Sequence, residues 1–130
     1  MKNIQFLDSS VSKPIGPYST MAKVGGFLFL SGQIALDAEK GELKGDTISE
    51  QTVQILKNIE VIISEAGYSK ENIFKCVIYL RNMKDFNEMN EVYKNFFGSH
   101  KPVRTTVEVS SLPRNALIEI EVSCFKEEEK

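Results

Sequence analysis

The amino-acid sequence predicts an α+β fold in which two helices pack on one face of a mixed β-sheet. Two segments repeat their apolar residues with the period of an α-helix. Several shorter segments are instead rich in β-branched and aromatic residues, or alternate between apolar and polar residues, as strands do. The elements follow the order strand, β-hairpin, helix, strand, helix, β-hairpin, and this order predicts both helices on the same face.

The first predicted helix has an apolar stripe and a signal at each end. Asp46 or Thr47 can cap its start, and Glu50 stands three residues after Thr47, as in a capping box. Gly67 is placed to end it. The stripe consists of residues spaced at one face of a helix: Thr52, Leu56, Ile59, Ile63 and Ala66.

The second predicted helix runs from about Lys84 to Phe97, and Gly98 terminates it. Strands are predicted at residues 21–24, 27–31, 73–80, 104–109 and 117–125. Gly25-Gly26 suits a two-residue hairpin turn between the first two of these strands. The turn-rich connector 110–115 predicts a hairpin between the last two. The stripe of the second helix comprises Phe86, Met89, Asn90, Tyr93 and Phe97.

Strict alternation assigns the side chains of the last two strands to opposite faces. One apolar row is Thr105, Val107 and Val109, and the other is Ile118, Ile120, Val122 and Cys124. If these strands pair and bury both rows, Arg104 and Glu119 share the remaining face as direct or diagonal neighbours. If the connector is symmetric, Thr106 lies near Glu119.

The polar face of this hairpin has two interpretations. It is a solvated exterior on which Arg104 and Glu119 form an ordinary cross-strand ion pair. Alternatively it is a site, because an arginine fork grips a carboxylate with two parallel hydrogen bonds and a desolvated glutamate can hold and deprotonate a water. Periodicity does not decide between the two.

Composition excludes several classes of function. The net charge is −2 and the Lys and Arg residues are scattered among acids, so nucleic acid is not an expected partner. No apolar run reaches the roughly 18 residues of a membrane span, and no secretory signal is evident, so we expect a cytoplasmic protein without a membrane partner. The absence of repeats and linkers predicts a single domain over residues 1–130.

Metal and cofactor sites are also not expected. His100 is the only histidine, which excludes a multi-histidine metal site, and no glycine-rich phosphate-binding pattern occurs. Cys76 and Cys124 lie far apart within apolar strand patterns and are interpreted as reduced core residues.

Four separate motifs resemble those of the RidA/YjgF family of reactive intermediate and imine deaminases. Ile15–Ser19 is similar to the N-terminal loop of the family, Ser31–Ile34 to the end of its third strand, and Asn90–Tyr93 to the motif on its second helix. The C-terminal signature is matched by Pro102–Val109, Leu112-Pro113 and Ile118–Glu121. The resemblance covers essentially the whole chain, in the right order.

The resemblance implies a chorismate-mutase-like α+β fold and a homotrimer whose clefts lie between subunits. It also implies hydrolysis of 2-iminobutanoate or 2-iminopropanoate to the 2-keto acid and ammonia, without a cofactor or metal. Arg104 would clamp the substrate carboxylate, helped by the backbone amide of Gly32. Glu119 would position the attacking water.

The remaining substrate-binding residues implied by the resemblance are Tyr18, Ser31, Asn90 and Thr106. The backbone carbonyl of Thr106 would receive the imine nitrogen, and Tyr18 and Asn90 would line the cleft. Many members of the family carry a cysteine where this chain has Thr106. Because the implied role belongs to the main chain, a threonine should serve.

Two other classes of function stay open. A binding module for small keto or imino acids would use the same Arg104, so the sequence does not separate it from the enzyme. An interaction protein, chaperone-like or RNA-cleaving, is the third hypothesis, and the acidic balance weighs against RNA.

Overall fold

The computed structural model describes residues 3–128, which form six strands and two α-helices around one sheet. Short 3₁₀ turns precede β4, α2 and β6. The predicted α+β class is confirmed. In chain order the elements are β1 (Gln5–Leu7), β2 (Met21–Val24), β3 (Phe27–Leu30), α1 (Ile48–Glu65), β4 (Ile73–Leu80), α2 (Phe86–Phe97), β5 (Val103–Glu108) and β6 (Ile118–Phe125).

Both helices begin and end close to where the sequence predicts. At the start of α1, Thr47 Oγ1 accepts a hydrogen bond from the Glu50 amide (3.1 Å) and Glu50 Oε1 accepts one from the Thr47 amide (3.1 Å). This reciprocal pair is the predicted capping box. Gly67, with a φ of 88°, follows the last turn of α1, and Gly98 follows α2 with a φ of 62°, a region open to glycine at little steric cost.

The predicted C-terminal hairpin is wrong, because β4 lies between β5 and β6. The strand order is β1-β2-β3-β6-β4-β5, in which only β4 and β5 run parallel. The connection 109–117 passes across the end of β4: the Val109 amide donates to the Leu80 carbonyl (2.8 Å), and the Arg81 amide donates to the Leu117 carbonyl (3.1 Å). A connection of that length easily reaches over the roughly 10 Å that two strand spacings require.

Arg104 and Glu119 consequently point to opposite faces of the sheet, contrary to the shared face predicted above. Arg104 pairs with Cys76, whose fully buried side chain belongs to the core. Glu119 pairs with Tyr79, the neighbour that faces the other way along β4. The predicted apolar row of β5 is also not buried, since Val107 is 38% exposed. The polar row faces α2 instead, where Arg104 finds its partners.

The core lies between the helices and one face of the sheet. The predicted stripe of α1 is buried there except for Ala66, which follows the helix and is half-buried. Cys76 and Cys124 are also buried there and are free thiols, as expected. No helix of the described residues covers the other face of the sheet, and large apolar side chains on it are exposed: Phe27, Phe29, Val103, Val107 and Phe125. Within residues 3–128, no helix combines the length and apolarity needed to cross a lipid bilayer.

Candidate active site

Arg104 is held against α2 by one hydrogen bond and two aromatic rings. Its Nη1 donates to Asn90 Oδ1 at 2.8 Å. Its guanidinium carbon lies 4.7 Å from the centre of the Tyr93 ring and 5.5 Å from that of Phe86. No carboxylate among the described residues pairs with it. The positive charge is therefore fixed in place but not neutralised, which suits a site for an anion.

Thr106 follows two residues after Arg104 on the same face of β5. Its hydroxyl is buried and has no hydrogen-bond partner within residues 3–128. Because β5 is the last strand of the sheet, part of its main chain has no neighbouring strand to bond. The side chain is thus turned inward, and the main chain is the part of Thr106 available to a ligand.

Glu119 occupies the other face, close to Gly32. A Cβ atom placed on Gly32 would lie 2.5 Å from Glu119 Oε2, so any side chain here would displace the Glu119 carboxyl group from its position. Burial raises the pKa of the Glu119 carboxyl above its ordinary value, and the carboxylate of Glu121 raises it further. A carboxyl in this state holds its proton to a higher pH than a surface glutamate does.

A cavity of about 40 Å³ opens beside Glu119, lined among others by Tyr18, Gly32 and Pro113. That volume accommodates water molecules. Tyr18 is 48% exposed at its rim. Ser31 lines a neighbouring cleft together with Tyr18, and its hydroxyl donates to the Ser19 carbonyl at 2.7 Å. Four of the predicted site residues, Tyr18, Ser31, Gly32 and Glu119, thus gather on one side, which we call the carboxyl side.

The other three predicted residues, Asn90, Arg104 and Thr106, gather at the α2–β5 edge, which we call the guanidinium side. The two sides belong to opposite faces of the sheet, and β4 separates their strands. A single chain therefore does not bring Arg104 and Glu119 together. The ordinary cross-strand ion pair considered for them is excluded.

Gln33 is a buried residue of the carboxyl side that sequence reasoning missed. Its Oε1 accepts from the Ser12 hydroxyl (2.7 Å), and its Nε2 donates to the Ser31 carbonyl (2.9 Å). Its main chain exchanges two hydrogen bonds with Ile120, the neighbour of Glu119. Gln33 thereby joins the Tyr18 loop, Gly32 and β6. The sequence did carry a signal for this role, because a glutamine next to apolar residues is a candidate for burial. A buried amide needs hydrogen-bond partners, and these tie it to its neighbours.

No group of three or more histidine, cysteine or acidic side chains suited to a metal ion occurs in the part of the chain that the structure describes. The one histidine, His100, packs beside Phe97 and contacts the Ile73 carbonyl through Nε2 at 2.7 Å. It lies on neither side of the candidate site. The chemistry available here is that of a fixed cation and a desolvated carboxyl.

Replacing Gly32 with alanine tests the close approach to Glu119. We expect Gly32→Ala to lower the free energy of unfolding by about 1–3 kcal/mol, because the added methyl overlaps the carboxyl group. The same change in a Glu119→Ala background should have little effect, since the three nearest atoms all belong to Glu119. Urea unfolding at one fixed protein concentration measures both. An equal loss in the two backgrounds would contradict the contact.

Comparison with known proteins places this chain and its fold in a family. A family model described as Endoribonuclease L-PSP matches residues 9–125. A RutC family protein of Pyrococcus horikoshii is 49% identical over 127 residues, covering 98% of this chain and 100% of its own.

Solved structures agree over nearly the whole length. A Rid-family protein of unknown function from Yersinia pestis has a TM-score of 0.91 at 36% identity, covering 95% of this chain and 100% of its own. E. coli TdcF with bound serine has a TM-score of 0.88 at 32% identity, covering 95% and 99%. The fold is the chorismate-mutase-like α+β fold expected above, and the chain belongs to the RidA/YjgF family.

Proposed function

We propose that this protein hydrolyses reactive 2-imino acids, such as 2-iminobutanoate and 2-iminopropanoate, to 2-keto acids and ammonia. The observation that carries the proposal is the Arg104 guanidinium, which is fixed by Asn90 and two rings and has no carboxylate partner among the described residues. A substrate carboxylate would supply the missing negative partner and accept charge-assisted hydrogen bonds from the guanidinium. Serine, bound in E. coli TdcF, is likewise a small 2-substituted carboxylic acid.

The proposed reaction needs a positioned water and a protonated, electrophilic C=N group. The Glu119 carboxylate accepts a proton from the water as its oxygen bonds to C2, and the C=N electron pair moves to nitrogen. The carbinolamine nitrogen then takes the proton that Glu119 holds, and the Glu119 carboxylate accepts the hydroxyl proton as the C2–O group becomes a carbonyl and the C–N bond breaks. The ammonia that leaves takes this last proton from Glu119 and restores the carboxylate. Holding both reactants in place can lower the barrier by several kcal/mol.

The state of Glu119 suits this role. Its raised pKa, caused first by burial and then by Glu121, makes it a stronger base than a surface carboxylate. The cavity beside it has room for the attacking water. Gly32 presents its main chain at the same cavity, where its amide would assist in binding the substrate carboxylate.

A second copy of the chain would complete the site, because one copy holds Arg104 and Glu119 on opposite faces. We propose a homotrimer in which the guanidinium side of one subunit meets the carboxyl side of the next, a head-to-tail contact that closes into a ring. The helix-free sheet face supports this arrangement. Its exposed apolar side chains, which include Phe29 and Val103, form a surface of the kind that a partner covers.

Arg104→Ala is expected to reduce the deaminase rate about 10- to 100-fold, because the substrate carboxylate loses its charge-assisted hydrogen bonds. The assay couples the protein to a threonine or serine dehydratase and follows the early release of keto acid and ammonia. Lys57→Ala is the control, since it also removes one positive charge but lies exposed on α1.

No acceleration by wild-type protein at high concentration would refute the proposed activity. If the wild type binds 2-oxobutanoate all the same, the protein is a binding module. Full activity in Arg104→Ala would exclude the clamp and reopen the interaction-protein hypothesis.

Glu121→Gln is expected to move the acid limb of kcat/KM to lower pH. Activity requires the Glu119 carboxylate, so it is lost as pH falls through the raised pKa of that group. Removing the Glu121 charge lowers that pKa, while glutamine keeps an oxygen that can accept from the Tyr79 hydroxyl. Rates are measured relative to uncatalysed hydrolysis at each pH. Glu60→Gln on α1 should leave the profile unchanged, and an unmoved limb in Glu121→Gln would contradict the electrostatic coupling.

Two inactive variants should restore activity when they share an oligomer. Arg104→Ala and Glu119→Gln are unfolded together in equal amounts and refolded, so that subunits mix. If each site takes one side from each of two copies, about a quarter of the sites regain both native residues. The assay compares the mixture with each variant refolded alone. Activity no higher than that of the separate variants would mean that the site lies within one chain.

A further inference from the structure

We propose that Tyr93 and Phe86 are positioning residues for Arg104, whose guanidinium their rings hold in place of a carboxylate. This inference rests on the carboxylate-binding role of Arg104 in the proposed function. It concerns two residues that do not touch the reacting atoms and act only through the arginine. It also gives the face of α2 that contacts Arg104 a part in setting substrate affinity.

The three contacts of Arg104 come from one face of α2. Phe86, Asn90 and Tyr93 are spaced by four and then three residues, which places them one above another along the helix. The Tyr93 ring centre is 4.7 Å and the Phe86 ring centre 5.5 Å from the guanidinium carbon, both within the range of cation–π attraction. Tyr93 is only 9% exposed, so its ring is fixed by the core.

Rings hold the arginine without cancelling its charge. A carboxylate at the same place would orient the guanidinium equally well, but it would occupy the fork and neutralise the charge that the substrate needs. The two acids of α2, Glu88 and Glu91, are exposed and form no ion pair with Arg104. The attraction of an aromatic quadrupole fixes the cation and leaves its hydrogen-bond donors available.

The Tyr93 hydroxyl takes no part in holding Arg104. It is buried, and no described residue offers it a partner with hydrogen-bonding geometry. Burial, with the Cys76 thiol beside it, raises its pKa well above the ordinary value, so it stays neutral. Only the ring of Tyr93 therefore holds Arg104, and a phenylalanine in place of Tyr93 should hold it equally well.

Binding of 2-oxobutanoate, measured by calorimetry, tests the inference without requiring turnover. Tyr93→Leu is expected to weaken binding about 3- to 10-fold, and Phe86→Leu about 2- to 3-fold because its ring is farther away. Tyr93→Phe should bind as the wild type does. Phe96→Leu is the matched control, since this ring also lies on α2 but contacts Lys70 instead of Arg104. In the deaminase assay the losses should appear in KM, with kcat nearly unchanged.

A spectroscopic signature separates positioning from general packing. The Arg104 Nε–H resonance, assigned by its loss in Arg104→Lys, should be shifted upfield by the ring currents in the wild type, Tyr93→Phe and Phe96→Leu. It should move toward the free-arginine position in Tyr93→Leu.

Wild-type affinity and an unmoved resonance in Tyr93→Leu would overturn this inference while leaving the proposed function standing. Wild-type protein that does not bind 2-oxobutanoate would overturn the clamp and this inference together. Weaker binding of 2-oxobutanoate by Phe86→Leu, with the Arg104 Nε–H resonance moved toward the free-arginine position, supports the inference even if Tyr93→Leu does not fold.

Discussion

The position of β4 between β5 and β6 is the constraint on which the candidate site depends. Strand β4 pairs along both edges and buries Cys76, Ile78 and Leu80 in the core, so it occupies the interior of the sheet. Arg104 and Glu119 are thereby kept two strands apart and on opposite faces. Direct pairing of their strands would have allowed the two charges to neutralise each other, whereas this topology leaves both available to a ligand.

Holding two such groups ready has a free-energy cost that the rest of the fold must offset. An unpaired guanidinium at a half-buried edge and a desolvated carboxyl are both unfavourable in isolation. The buried Thr106 hydroxyl, without a partner among the described residues, adds a further cost of about 1–3 kcal/mol. The Gln33 side chain and main chain, which are fully hydrogen-bonded, lie next to Glu119 in the same cavity lining, and unfavourable groups held by such satisfied neighbours are typical of functional sites.

The sequence predicted the elements better than it predicted their neighbours. Both helices, the buried row of β6 and the capping box at Thr47 follow from local signals that depend on residues close together in the chain. The pairing partner of β5 does not, because alternation records which side of a strand is apolar and carries no information about the adjacent strand. The usual preference for pairing consecutive strands favoured a hairpin. The family motifs named Arg104 and Glu119, but their separation within one chain emerged only from the sheet order.

The exposed apolar row of β5 connects the wrong prediction to the proposed assembly. Val103 and Val107 alternate with polar residues as core-facing side chains do, yet in one chain they are 66% and 38% exposed. Such a pattern would be unfavourable for a protein that remained a monomer, since it leaves apolar surface in water on a face that also presents Phe29 and Phe125. Side chains that another subunit covers are apolar for the same reason as core side chains. They therefore show the same alternation of apolar and polar residues in the sequence. On the proposed head-to-tail assembly, the alternation of β5 correctly indicates burial, and the covering partner is a second copy.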